Sequence, residues 1–116
     1  MSNTAPTTKA EALDEALNAI RRADRVFINP PPRAMDLCAE PLCKADKARR
    51  DLHKRPNNEA RLTKAVKALN RAGYAFEHLA QIHRDAGKIE DAMVLTSLGH
   101  ALHDVGNKLL RTFSQP

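Results

Sequence analysis

Tryptophan is missing from this chain, and three phenylalanines and one tyrosine are its only aromatics. A single-stranded nucleic acid held by base stacking needs several rings, so that mode is disfavoured from the outset. Four glycines form no Gly-rich phosphate loop, and neither a nucleophile elbow nor a pair of catalytic carboxylates stands out. The sequence therefore predicts a protein that is not an enzyme. Two cysteines, Cys38 and Cys43, are too few for a disulfide framework. Their C-x₄-C spacing also lacks the ligands of a structural zinc site, so two reduced thiols and no metal are expected. No apolar run approaches the roughly 18 residues that a membrane span requires. The polar start, Met1 to Thr8, carries no signal-peptide core. A cytoplasmic location is the expectation, with no membrane partner.

What is present favours helix. The 116 residues suit one domain with one core, and Leu and Ala carry most of the apolar content. Residues 1–7 read as a disordered leader and residues 8–116 as one helical domain. Thr8 and Glu11 have the spacing of a capping box, opening a first helix that runs to about Val26 or Phe27. Asn29-Pro30-Pro31-Pro32 stops it with a stiff corner. Pro41 reads as the first residue of a short polar helix ending near Arg55, with only Leu42, Ala45, Ala48 and Leu52 on its apolar side. Such a helix is expected to be weakly held.

Two long helices follow, Asn58 to Ala86 and Lys88 to Phe113. In the former, Leu62, Val66, Leu69, Gly73, Phe76, Ala80 and His83 recur at steps of three and four, a packing seam for a partner helix. Asn57 or Asn58 can cap its start and Gly87 its end. In the latter, Ala92, Leu95, Leu98, Gly99, Leu102, Val105, Gly106, Leu109 and Phe113 cover about half the circumference. That breadth predicts a central helix touching both other long helices, with leftover apolar surface for a homodimer. The link Asp85-Ala86-Gly87 predicts an antiparallel hairpin that sets Phe76 against Gly99, Leu69 against Gly106 and Leu62 against Phe113. The expected fold is all-α: a small bundle of three long helices plus a short polar one.

Charge is concentrated. From Lys44 to Arg71 there are ten Lys or Arg against Asp46, Asp51 and Glu59, a net of +7, while the rest of the chain carries −2. The second long helix bears a stripe opposite its seam: Lys64, Lys67, Arg71, Tyr74 and His78. The expected contact surface is therefore Lys44, Lys47, Arg49, Arg50, Lys54, Arg55, Arg61, Lys64, Lys67, Arg71, Tyr74 and His78. Its partner would be an acidic macromolecule, either nucleic acid gripped by its backbone or a protein of a nucleic-acid-handling complex. The reading is a non-enzymatic binding or regulatory module with no cofactor. The alternative is a protein–protein inhibitor or adaptor, for example a phage- or mobile-element-encoded inhibitor of a host defence complex.

Arg71 and His78 are separated by six residues, which resembles the Arg-x₄₋₆-His motif of helical ribonucleases of the HEPN type. Ala72 stands where that motif has a polar residue directly after the arginine. The resemblance covers two residues and implies a remote alternative, a HEPN-like ribonuclease. Among the histidines, His100 and His103 lie one turn apart and are expected near Ala72 to Ala75, without the Glu-x-x-His pattern of a bundle metal site.

Overall fold

A computed structural model describes residues 7–114. The expected leader, residues 1–7, lies outside them except for Thr7. The described residues form an all-α bundle of four helices: α1 (Lys9–Asp24), α2 (Ala34–Lys54), α3 (Glu59–Asp85) and α4 (Ile89–Phe113). A 3₁₀ turn, Arg25–Ile28, follows α1.

The helix ends follow from local chemistry. The Thr8 hydroxyl accepts from the Glu11 backbone N–H at 3.1 Å, and the Thr8 N–H donates to the Glu11 carboxylate at 3.0 Å. This capping box satisfies donors that the first turn leaves free. The Thr8 bonds hold the Glu11 carboxyl below its ordinary pKa. At α3 the Asn58 side chain accepts from the Arg61 N–H. Its other end closes on Gly87, whose φ of 80° suits a residue without Cβ. There the Lys88 N–H reaches the His83 carbonyl at 2.8 Å and the Gly87 N–H reaches Arg84 at 3.0 Å, the paired bonds of a Schellman cap.

The helix expected to begin at Pro41 is corrected. α2 starts at Ala34, runs for 21 residues and carries Pro41 in its interior. It is neither short nor weakly held. Ala34, Cys38, Leu42, Ala45, Ala48 and Leu52 form one buried seam that crosses the proline. An interior proline removes a backbone hydrogen bond and disfavours a helix by about 3 kcal/mol. Six buried contacts spread along both sides of it outweigh that. Arg33 precedes α2 with φ 70°, and the turn is fastened by the Ala34 N–H donating to the Pro31 carbonyl. The Pro32 carbonyl in turn receives His83 Nε2 at 3.3 Å. His83, expected at the edge of the seam, is buried and ties the proline corner to α3.

α4 touches both α1 and α3, the two other long helices of the expected fold, but it occupies one side of the bundle and not its centre. α1 packs on α2 and α4, α3 packs on α2 and α4, and among the described residues α1 does not meet α3, nor α2 meet α4. The four helices thus form a ring around one core, with Phe76, Leu52, Leu69, Leu79, Leu95, Leu102 and Leu109 fully buried. Lys108 joins α4 to α1 through the Glu15 carboxylate at 2.9 Å.

The α3–α4 contact is the most extensive. Arg84 bonds Thr96, Glu77 meets His100, Asn70 bonds His103, and Leu69 lies under Gly106. The expected pairing of Leu69 with Gly106 is seen, but Gly99 faces Gly73 and Glu77. Glycine meets glycine there because the backbones themselves approach: a Cβ built on Gly99 would stand 2.8 Å from the Gly73 carbonyl oxygen.

Candidate interaction surface

A groove of about 630 Å³ lies along two helices of the ring, α2 and α3. From α2 it is lined by Pro41, Lys44, Lys47, Ala48 and Asp51, and from α3 by Ala60, Thr63, Lys64, Lys67, Ala68 and Arg71. Five of the predicted contact residues therefore converge: Lys44 and Lys47 on one bank, Lys64, Lys67 and Arg71 on the other. Asp51 is the sole carboxylate in that lining.

Most of these cations lack partners. Lys44 pairs with exposed Glu40 at 3.1 Å. For Lys47, Lys64, Lys67 and Arg71 no ion pair or side-chain hydrogen bond occurs among the described residues. Exposed like charges facing each other across a groove repel, and Asp51 and Glu40 offset only part of the five positive charges. The floor between the banks is small and largely apolar, made by buried Ala48 with half-buried Pro41 and Ala68, beside half-buried Asp51.

The other predicted residues go elsewhere. Lys54 and Arg55 are exposed at the α2–α3 turn, beside Pro56, Asn57 and Asn58. Arg61 is half-buried, and its guanidinium donates to the Asp51 carbonyl at 3.0 Å, fastening the start of α3 to the end of α2. Arg49 and Arg50 turn away from the groove toward α1, where both approach Asp46. Arg49 is 9% exposed, and its Nε has no hydrogen-bond partner. Tyr74 and His78 are exposed farther along α3. The Tyr74 ring meets the His103 ring edge-on, with centroids 4.4 Å apart.

Three features escaped the sequence reading. The first is the floor, whose small residues draw no notice until two helices bring them together. The second is the fate of Arg49. Projected at 100° per residue, it falls within the arc of Leu42, Ala45 and Leu52, so the signal was present. The third is a polar cluster between α3 and α4: His103 Nδ1 lies 2.9 Å from Asn70, and Glu77 lies 3.4 Å from His100 and 3.5 Å from His103. No group of three or more His, Cys, Asp or Glu suited to a metal occurs among the described residues.

Cys38 is buried and Cys43 exposed, five residues apart on one helix, so they face different surroundings. Burial pushes the Cys38 thiol up to about 11. Arg71 and His78, the pair resembling the ribonuclease motif, make no side-chain hydrogen bond or ion pair among the described residues. No described helix is long and apolar enough to cross a membrane. Compared with protein-family models, curated proteins and solved structures, the chain matches none.

Proposed function

We propose that the protein is a non-enzymatic binding or regulatory module whose α2–α3 face engages an acidic macromolecule, either nucleic acid or a protein of a nucleic-acid-handling complex. One observation carries this reading: four unpartnered cations and a fifth line one groove with a single carboxylate. A surface that repels itself in the free protein is relieved when an anion lies on it. The remaining bundle is the scaffold, with α3 and α4 as an antiparallel hairpin behind the groove. The module works in the cytoplasm, where exposed Cys43 stays a thiol. An inhibitor or adaptor of another protein would use the same face.

The test is binding to random duplex DNA and RNA over a salt series, for the wild type and for Lys64→Glu/Lys67→Glu/Arg71→Glu. A backbone-gripping partner gives a steep loss of affinity with salt, about 0.9 in logarithmic slope for each phosphate contact. The triple variant is expected to lose binding at every salt concentration. Absence of wild-type binding at low salt would sink the nucleic-acid form and leave the acidic protein. Charge reversal would then slow association with that protein.

A homodimer is part of the same proposal. The stripe expected to leave apolar surface on α4 is taken up inside the chain, but Met93 and Val94 of α4 remain 66% and 57% exposed, next to Val26, Leu98, Arg22 and Arg25. A second copy would bury these two apolar side chains. Light scattering at micromolar concentration is expected to give twice the chain mass, and a clean mass of 12.8 kDa would remove the dimer.

A further inference from the structure

The basic groove is more specific than its charge. A surface that reads only phosphates needs cations and has no use for the ground between them. Here that ground is shaped: Pro41 and Ala48 of α2 and Ala68 of α3 keep side chains short between the helices, with Asp51 the one polar group among them. Ala48 is buried and Ala68 half-buried, so the floor is continuous with the core. Small side chains between two helices let an occupant helix approach closely. From Ala60 to Arg71 the bank measures about 16 Å at 1.5 Å per residue, three turns of an occupant helix.

The cations stand on both banks. An occupant seated on the floor would meet Lys44 and Lys47 on one flank and Lys64, Lys67 and Arg71 on the other. It therefore needs carboxylates along both edges and a small apolar stripe beneath. A nucleic-acid duplex is wider than a helix, which measures about 10–12 Å with side chains. It would rest on the banks and leave the floor uncovered. A single strand would find no ring to stack on, because no aromatic lines the groove.

Resting on the reading of the α2–α3 face as the contact surface, we infer that this groove is the docking site for one acidic amphipathic helix of a partner protein. That helix would be about three turns long, with Glu or Asp flanking a stripe of Ala and Leu. The floor supplies selectivity for shape, and the cations supply attraction and orientation.

The test uses the full chain and three fluorescent probes. One is a capped peptide of about 18 residues with a Leu/Ala stripe flanked by Glu, long enough to hold helix. Another has the same composition scrambled so that the stripe is lost. The last is a random DNA duplex. Ala68, half-buried between the two helices, is changed to Trp to fill the groove without altering charge, and to Ser as a size-matched control, with thermal melts to check that both variants fold. The striped peptide is expected to bind at least about tenfold tighter than the scrambled one. Ala68→Trp is expected to abolish that preference and Ala68→Ser to keep it. Equal binding of striped and scrambled peptides, or undiminished preference in Ala68→Trp, overturns the helix inference and leaves the acidic-partner proposal intact. Binding of the duplex alone does the same. If neither peptide nor the duplex binds at low salt, both readings fall.

Discussion

Leu52→Ala is expected to destabilise the protein by about 2–5 kcal/mol, the range for truncating a fully buried leucine. Leu52 is 0% exposed near the end of α2. It closes a seam that begins at Ala34 and continues through Cys38, Leu42, Ala45 and Ala48. The residues around it are fixed from two directions. Arg61 of α3 donates to the carbonyl of neighbouring Asp51, and the Arg55 N–H donates to the carbonyls of Asp51 and Leu52. The site therefore has little freedom to collapse, which favours the upper part of the range. A urea melt reads the effect as a lower midpoint at an unchanged slope. A shift within about 0.5 kcal/mol, the usual scale for surface substitutions, would mean that α2 is a loosely attached arm.

Gly99→Ala is expected to cost about 1–3 kcal/mol, and Gly99→Leu more, through overpacking. A Cβ at Gly99 would stand 2.8 Å from the Gly73 carbonyl oxygen and 2.9 Å from Glu77 Cγ. The Glu77 side chain can swing aside, but the Gly73 carbonyl is helix backbone and cannot. The helices must separate, and that loosens the Leu69 and His103 contacts on the same interface. Gly106→Ala provides the contrast. Its Cβ would meet Leu69 Cβ at 3.4 Å, with Asn70 Oδ1 and the Val66 carbonyl at 3.6 Å. Those distances fit with little adjustment, and alanine is favoured over glycine in a helix by about 1 kcal/mol. Gly106→Ala should therefore be neutral or stabilising. Parallel thermal melts separate the two. Equal behaviour at positions 99 and 106 would contradict the close approach at Gly73.

The three-four spacing makes the inner faces of α3 and α4 readable from the sequence. All seven seam residues of α3 are buried, and along α4 only Val105 and Phe113 of the predicted stripe are half-buried. Such faces are legible because a helix with a wide apolar stripe has one way to hide it. Start and stop chemistry at Thr8, Asn58 and Gly87 was equally plain. Pro41 misled for a physical reason. Proline is common at a helix start, and nothing local announces that buried contacts will carry a helix through it. The pairing of Gly99 with Gly73 depends on the relative rotation of two helices, which spacing within each helix does not specify. The basic segment was legible as a count, whereas its division was not. Lys44, Lys47, Lys64, Lys67 and Arg71 reach one groove, and Arg49 and Arg50 leave it, only because α2 presents its seam to the core at one particular angle.

If the α2–α3 groove is where a partner lands, amide chemical-shift mapping of the ¹⁵N-labelled protein will show it, during titration with a short random DNA duplex at low salt and then with the striped acidic peptide. Perturbations are expected at residues 41–51 and 60–71 with at least one of the two ligands, with little change along α1 or the outer face of α4. Perturbations centred on Met93 and Val94, or scattered over every lysine alike, would contradict the groove as the landing site.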